Sequence, residues 1–428
     1  MNIWQRRLFF LAIIAIFMII TPILAFYVAG WRINRQEKSI YRVGTLEIVT
    51  KPAAAQIYID DNQYNKTSPV DIINLSPGDY TVKITKDGYF DWIRKITISS
   101  AQVTDLSDIF LVKKIIDPKP LLGNSFSIIQ YNSDYSQALG YADKILNLVN
   151  FKKGNVEKKV NFDHDLKKIV WSPNSDQAIL QTTDNSFFIL NISDFKIRDL
   201  SEFLNEKILE LFWSNPEHDI VYAISDTGNY RINLFQNTKN LENNLDNVIF
   251  FNSQFTIQKK YDSLIFSKAN TGEQNAFKIQ ADSKFTIFEQ RDNTLPLLDT
   301  ANQKLFFYDF AKNNFSEFSI KVAGLQWPAN NDEILFYNNN EIWQWNLKTD
   351  ERSLLTRTSD LITYATFILN TKYVLYFVSP DKMYITEISG PQKNSYELNL
   401  LDINQINYFD NNSLLFILAN SLLYKIQL

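Results

Sequence analysis

The hydrophobic pattern changes once along the chain, from an unbroken apolar run to short segments in which apolar and polar residues alternate. The run from Leu8 to Ala29 contains no charged residue, and basic residues such as Arg7 and Arg32 flank it. Twenty-two helical residues at ~1.5 Å each extend ~33 Å, which is enough to cross a ~30 Å hydrocarbon core. We therefore predict one transmembrane anchor within residues 1–35.

A cleaved signal peptide is the alternative for this run, because Val28-Ala29-Gly30 resembles a small-residue cleavage site. The run is longer than the ~7 to 15 residues of a typical signal-peptide core, which favours a retained anchor. Basic residues are more numerous after the run, which by itself would place that flank in the cytoplasm. Long downstream domains translocate largely regardless of this bias, and Arg6-Arg7 resemble a positive leader. We expect the rest of the chain outside the cytoplasm.

Alternation with a period of two begins after a predicted linker at residues 36–43. In Tyr80–Thr85 the residues Tyr80, Val82 and Ile84 face one way and the polar residues face the other, as in a half-buried antiparallel strand. Glycine-containing turns bound this strand on both sides. Similar short strands are predicted at residues 46–49, 56–59 and 93–98. These elements predict a small all-β sandwich at residues 44–113.

Five sequence blocks in this region resemble the PEGA domain family. They lie, in order, at residues 44–48, 51–60, 67–69, 75–82 and 88–89. The letters that name the family read Pro52-Ala53-Ala54-Ala55 here, so two of the four positions differ. Such domains are similar to modules of bacterial and archaeal surface proteins and carry no known catalytic residues. The resemblance implies an extracytoplasmic adhesive or spacer role.

The remaining residues, 114–428, repeat with a period near 40. A bulky aromatic residue followed by a polar turn recurs at Tyr131, Trp171, Trp213, Phe251, Phe288, Trp327, Phe367 and Phe409. This period is typical of four-stranded propeller blades. The segments around Trp171, Trp213 and Trp327 also resemble blades of TolB-like and WD40-like propellers. We predict an all-β protein with an N-terminal helix, a sandwich and a β-propeller of eight blades, with seven as the alternative.

The eighth unit supplies only three predicted strands, at residues 406–409, 414–418 and 422–426. A blade without its outer strand would leave an unpaired edge, which is a liability in all-β folds. We predict that residues 114–122 donate the fourth strand. Pro118 and Pro120 suit an outermost strand, where a missing N–H is tolerated.

Composition narrows the possible functions. The net charge of −4 leaves no basic footprint for nucleic acid, and the absence of cysteine excludes disulfides and thiolate metal sites. The sequence has two histidines and no zinc-helix, phosphate-loop or nucleophile-elbow motif. The densest polar triplet, Asp163-His164-Asp165, suits a solvated loop better than a cation site, since neighbouring side chains diverge. We expect no metal, no cofactor and no catalytic site.

One set of acidic residues remains as possible rim contacts. These residues sit in the predicted hairpins between second and third strands, at Asp143, Asp184, Asp226, Asp262, Asp299 and Asp381. Aspartate is also a favoured turn residue, so turn chemistry alone explains them. The sequence predicts a membrane-anchored, extracytoplasmic binding or scaffold protein of the cell envelope, with an envelope protein or cell-surface polymer as partner. A propeller-type hydrolase of envelope polysaccharide or peptide is the alternative.

Overall fold

The computed structural model places an apolar helix ahead of an all-β body. It describes residues 3–427 except 35–38, 117–118, 133–135, 152, 201–205, 215–218, 244–245, 253, 269–270, 289–292, 319, 328–332, 369–370, 380–381, 389, 391–392, 400–404, 409–413 and 420–421. Helix α1, Ile3–Val28, contains Pro22. Its segment Arg6–Val28 is long and apolar enough to span a membrane and has none of its surface buried; a signal sequence has the same properties.

A two-stranded ribbon follows the helix directly. Strands β1, Trp31–Asn34, and β2, Ser39–Arg42, pair antiparallel. The linker predicted at residues 36–43 therefore contains β2 in its described part. Short isolated strands lack a strong sequence signal, because their stability comes from what they pack against.

The sandwich has two sheets around one apolar core. One sheet has the order β6-β3-β9 and the other β5-β4-β7-β8. The strands are β3 Gly44–Lys51, β4 Gln56–Ile59, β5 Asn62–Thr67, β6 Val70–Leu75, β7 Gly78–Thr85, β8 Trp92–Ile98 and β9 Val103–Phe110. Val82 and Ile84 are completely buried, as the alternation predicted. The sequence missed β5, β6 and β9, which carry weaker alternation.

Eight further four-stranded sheets lie in the described part of the chain. Seven of them consist of consecutive antiparallel strands. Their strands are β11 Ile128–Tyr131, β12 Gln137–Ala142, β13 Ile145–Asn150 and β14 Asn155–Asn161; β15 Leu166–Trp171, β16 Gln177–Thr182, β17 Phe187–Asn191 and β18 Ile197–Asp199; β19 Ile208–Trp213, β20 Ile220–Ser225, β21 Asn229–Asn233 and β22 Thr238–Asn243; β23 Val248–Phe251, β24 Phe255–Lys260, β25 Ser263–Lys268 and β26 Gln274–Lys278; β27 Phe285–Ile287, β28 Thr294–Asp299, β29 Lys304–Asp309 and β30 Asn314–Glu317; β31 Gly324–Gln326, β32 Glu333–Tyr337, β33 Glu341–Asn346 and β34 Glu351–Arg357; β35 Tyr364–Ile368, β36 Tyr373–Ser379, β37 Lys382–Glu387 and β38 Ser395–Asn399.

The remaining sheet joins the two ends of this region in the order β10-β41-β40-β39. Its strands are β10 Lys119–Ser125, β39 Gln405–Tyr408, β40 Leu414–Ala419 and β41 Leu422–Gln427. Strand β10 is outermost, and Pro120 lies opposite Tyr424. The strand donation predicted from the sequence is thus present, but it starts later than residue 114. The segment before it leads back to the sandwich, and Ile116 packs against the apolar core that contains Phe110, Val112 and residues of the β35–β38 sheet.

The repeated aromatic residues lie in or just after the first strand of each sheet. Trp171 closes β15 and donates its indole N–H to the Gln130 carbonyl of the preceding sheet at 2.9 Å. Trp213 closes β19 and donates in the same way to the Val170 carbonyl at 3.0 Å. At Trp171 and Trp213, the period near 40 therefore marks side chains that join neighbouring sheets. Phe409 lies outside the described residues.

Candidate interaction surface

The turns between second and third strands lie at one end of the sheets, because strands in each sheet alternate in direction. The connections from each fourth strand to the next sheet lie at the same end, which we call the hairpin face. Backbone hydrogen bonds tie the two kinds of loop together. Thr183 N–H donates to the Asp165 carbonyl at 2.8 Å, and Ile279 N–H donates to the Asp262 carbonyl at 2.7 Å.

Four of the six predicted aspartates are exposed on the hairpin face. Asp143, Asp184, Asp226 and Asp262 belong to four successive sheets, so the structure distributes them around the face. Asp143 has a φ of 50°, a turn conformation that aspartate tolerates better than most residues. Asp381 lies outside the described residues.

Asp184 is held by its own turn. Its carboxylate accepts hydrogen bonds from the Thr182 hydroxyl and from the Ser186 N–H, the latter at 3.4 Å. The Thr182 hydrogen bond, followed by the Ser186 N–H, lowers the pKa of this carboxyl group. A carboxylate with a lowered pKa is poorly suited to act as a general acid near neutral pH.

Asp299 differs from the other aspartates because it is only 1% exposed. Its carboxylate accepts hydrogen bonds from the Ser283 hydroxyl at 2.5 Å, the Lys284 N–H at 3.0 Å and the Asn302 side chain at 2.8 Å. Burial raises its pKa, but these hydrogen bonds outweigh burial and leave the pKa below its ordinary value. Asp299 therefore fastens a second-to-third-strand turn to the connection that precedes the sheet.

The Asp163-His164-Asp165 triplet connects β14 to β15 on the hairpin face, and its side chains diverge. His164 packs against Phe188, with ring centroids 4.7 Å apart, whereas Asp165 forms an ion pair with Lys144 at 2.5 Å. Within the described residues, no group of three or more histidine or acidic side chains is arranged to hold a metal ion.

Two apolar side chains on the hairpin face were missed by sequence reasoning. Tyr261 is 80% exposed in the turn between β24 and β25, and its φ of 37° is unusual for an aromatic residue. Leu361 is 55% exposed in the connection that leads to β35. An aromatic residue in a turn that otherwise favours Asn, Asp or Gly was the available signal. Exposed tyrosines are common in protein interfaces.

The sandwich docks at the opposite end of the β35–β38 sheet. Arg94, on β8, forms a 2.5 Å ion pair with Glu387, which ends β37. Asp108 pairs at 2.6 Å with Lys372, which lies in the turn between β35 and β36. In each four-stranded antiparallel sheet, the third strand ends on the side opposite the hairpin face, and the turn between the first and second strands lies on that same side. Glu387 and Lys372 therefore both lie on the side opposite the hairpin face.

Apolar and aromatic contacts complete this junction. Phe110 and Val112 pack in one core with the completely buried Tyr373, and Phe90 stacks on Tyr396 with ring centroids 5.2 Å apart. Burial raises the pKa of the Tyr396 phenol far above its ordinary value, as expected for a group sealed from water. The hairpin face of this sheet is therefore directed away from the sandwich.

The sandwich and the repeated four-stranded sheets are similar to different known proteins. Residues 43–110 match the PEGA domain family. The C-terminal WD40 domain of Sif2 is similar in structure, with a TM-score of 0.50 and 9% identity over 72% of this chain and 97% of that one. The β-propeller domain of Cps50 (Swd1) from Myceliophteria thermophila gives a TM-score of 0.47 and 10% identity over 73% and 100% of the two chains. No curated protein matches the chain in sequence.

The likeness to the WD40 domain, at this identity, concerns the fold alone. It agrees with the repeated four-stranded antiparallel sheets and with the aromatic residues that join them. The chain thus combines an N-terminal apolar helix with a PEGA domain at residues 43–110 and a β-propeller.

Proposed function

We propose that the protein is a membrane-anchored binding or scaffold protein of the cell envelope, with its soluble domains outside the cytoplasm. Helix α1 is the anchor, the PEGA domain is a stalk, and the propeller is the interaction platform. The partner is an envelope protein or a cell-surface polymer that contacts the hairpin face.

The observation that carries this proposal is the docking of the PEGA domain at the end of the β35–β38 sheet opposite the hairpin face. The contacts of Arg94 with Glu387 and of Asp108 with Lys372 hold it there. The anchor therefore approaches the propeller from one side and leaves the other side accessible. Tyr261 and Leu361 supply exposed apolar contacts on the accessible side.

We propose further that the protein has no hydrolase activity. Paired carboxylates in glycosidases stand ~5 to 10 Å apart and converge on one bond. The five described aspartates of the predicted hairpins belong to five separate sheets, and Asp184 and Asp299 are already engaged in local hydrogen bonds. Purified protein should not hydrolyse a panel of envelope glycans and peptides. Turnover that disappears in Asp184→Asn or Asp226→Asn would instead support the hydrolase alternative.

Two exposed aromatic residues offer a matched test of the hairpin face. Tyr261 on the hairpin face is 80% exposed, and Phe235, in the turn between β21 and β22 on the opposite face, is 82% exposed. Asparagine suits the backbone of a turn at both positions. We expect Tyr261→Asn to lower crosslinking to the native partner in intact cells, and Phe235→Asn to leave it unchanged.

The reverse result would place the partner on the opposite face. Equal crosslinking by both variants and the parent protein would contradict the role of Tyr261. Capture of cytoplasmic proteins alone would contradict the proposed location.

A further inference from the structure

The ribbon formed by β1 and β2 has two chemically different faces. Its register places Ile33 opposite Ile40 and Trp31 opposite Arg42, so these four side chains share one face. Arg32 and Tyr41, which lies opposite it in the ribbon, are on the other face.

The Arg32 face is fixed to the PEGA domain. Arg32 Nη2 donates to Asn74 Oδ1 at 3.0 Å, and the Tyr41 hydroxyl lies 3.0 Å from Ser76 Oγ. A backbone hydrogen bond from Val43 N–H to the Gly30 carbonyl at 2.9 Å closes the base of the ribbon. The ribbon is therefore held in one orientation relative to the domain.

The ribbon is also fixed to the end of helix α1. Arg32 Nη1 donates to the Tyr27 carbonyl at 2.8 Å, and the Arg32 guanidinium lies 3.8 Å from the centre of the Tyr27 ring. Trp31 turns back toward the last helical turn, where its ring lies 5.9 Å from that of Phe26. Gly30, with a φ of 84°, permits this reversal.

The remaining face of the ribbon is apolar and uncovered. Ile33 is 71% exposed, Ile40 is 63% exposed and Trp31 is 37% exposed. Arg42 lies at the edge of this face, 5.8 Å from the Trp31 ring. Apolar side chains with tryptophan and arginine at the rim are typical of segments that lie in the membrane interface.

We propose that the β1–β2 ribbon inserts its Trp31–Ile33–Ile40 face into the interfacial layer of the membrane that α1 spans. This inference rests on the anchor role in the proposed function. The contact of Trp31 with Phe26 continues the apolar surface of the helix onto the ribbon. Together with the Arg32–Asn74 bond, the inserted face holds the PEGA domain at a fixed height and tilt on the membrane surface.

The absence of cysteine permits a direct test with single spin labels. Ile33→Cys and Ile40→Cys are introduced separately into the full chain and labelled. The protein is then reconstituted into vesicles of phosphatidylcholine and phosphatidylglycerol. Phe17→Cys within α1 is the lipid control, and Tyr261→Cys on the hairpin face of the propeller, which is directed away from the anchor, is the water control. Power saturation compares accessibility to oxygen, which partitions into lipid, with accessibility to a water-soluble nickel complex.

We expect labels at Ile33 and Ile40 to be more accessible to oxygen than to nickel, as at Phe17, with the opposite order at Tyr261. If Phe17 is in lipid but both ribbon labels behave like Tyr261, the insertion is contradicted and the anchor stands. If Phe17 itself faces water, the anchor and the insertion both fail. Ribbon labels that are shielded from both reagents and show spin–spin broadening would indicate a second copy of the chain and would overturn the proposal.

Discussion

Arg94 and Glu387 form a buried ion pair between the PEGA domain and the propeller. Their nearest side-chain atoms are 2.5 Å apart, and the side chains are only 12% and 4% exposed. Asn394 adds a 3.1 Å hydrogen bond to Glu387. The interface between the two domains therefore shields the Arg94–Glu387 pair from water.

Removal of one member of this pair should destabilise the protein strongly. Glu387→Ala leaves the Arg94 charge buried without its carboxylate, which costs about 3 to 5 kcal/mol in comparable sites. Denaturant unfolding of the purified protein measures this loss. The exposed Lys168–Glu210 pair, at 3.8 Å, is the control, and Glu210→Ala should cost less than about 1 kcal/mol. Equal losses of unfolding free energy in Glu387→Ala and Glu210→Ala would contradict the burial of the Arg94–Glu387 pair.

The indole hydrogen bonds between sheets should contribute measurably to propeller stability. Trp213→Phe keeps an aromatic ring but loses the bond to the Val170 carbonyl, which should cost about 1 kcal/mol. Trp171→Phe should give a similar loss, since Trp171 makes the equivalent bond to Gln130. Unchanged unfolding free energy in both variants would mean that water replaces the indole donor.

Asp299 should make stability depend on acid pH. Its folded pKa is below the ordinary value of 3.8, so its stabilising contribution is complete above that value and disappears as pH falls through the folded pKa. Asp299→Asn should cost about 2 kcal/mol at neutral pH, since it weakens hydrogen bonds to a charged acceptor. The difference in unfolding free energy between the parent protein and Asp299→Asn should decrease below pH 3.8. A difference in unfolding free energy that stays constant with pH would contradict the lowered pKa of Asp299.

Strand β10 should be required for a stable closure. A chain that begins at Phe126 lacks β10 and leaves β41 with an open edge, whereas a chain that begins at Lys113 retains the pairing. The shorter chain should have a lower melting temperature, and the decrease should exceed the decrease caused by removing an unpaired tail. Equal melting temperatures would contradict this role, as would an experimental structure with seven blades rather than the expected eight.

The proposed orientation predicts that protease added to intact cells removes the PEGA domain and the propeller. The reason is that no barrier would separate the enzyme from residues beyond the ribbon. Immunoblotting for the C-terminal region follows the cleavage. Protection until the membrane is permeabilised would place these domains in the cytoplasm and would contradict the surface role.

The sequence by itself determined features that depend on near neighbours. The apolar run predicted α1, and the alternation at Tyr80–Thr85 predicted β7 within a few residues. The period near 40 located Trp171 and Trp213, which join neighbouring sheets, because each repeat packs an aromatic side chain at the same place. Asn, Asp and Gly identified the hairpins, because the conformation of a turn depends on the residues within it.

Tertiary structure alone decided which turn residues are buried and which faces remain open. Asp184 lies within its turn and Asp299 ends the strand that precedes its turn, and of these two only Asp299 is enclosed, where the Ser283 hydroxyl contacts its carboxylate. No repeat or motif marks Arg94 and Glu387 as partners. They come into contact because the PEGA domain packs beside the β35–β38 sheet, about 290 residues further along the chain. Sequence patterns record local periodicity, whereas contacts between distant residues depend on how the whole chain closes.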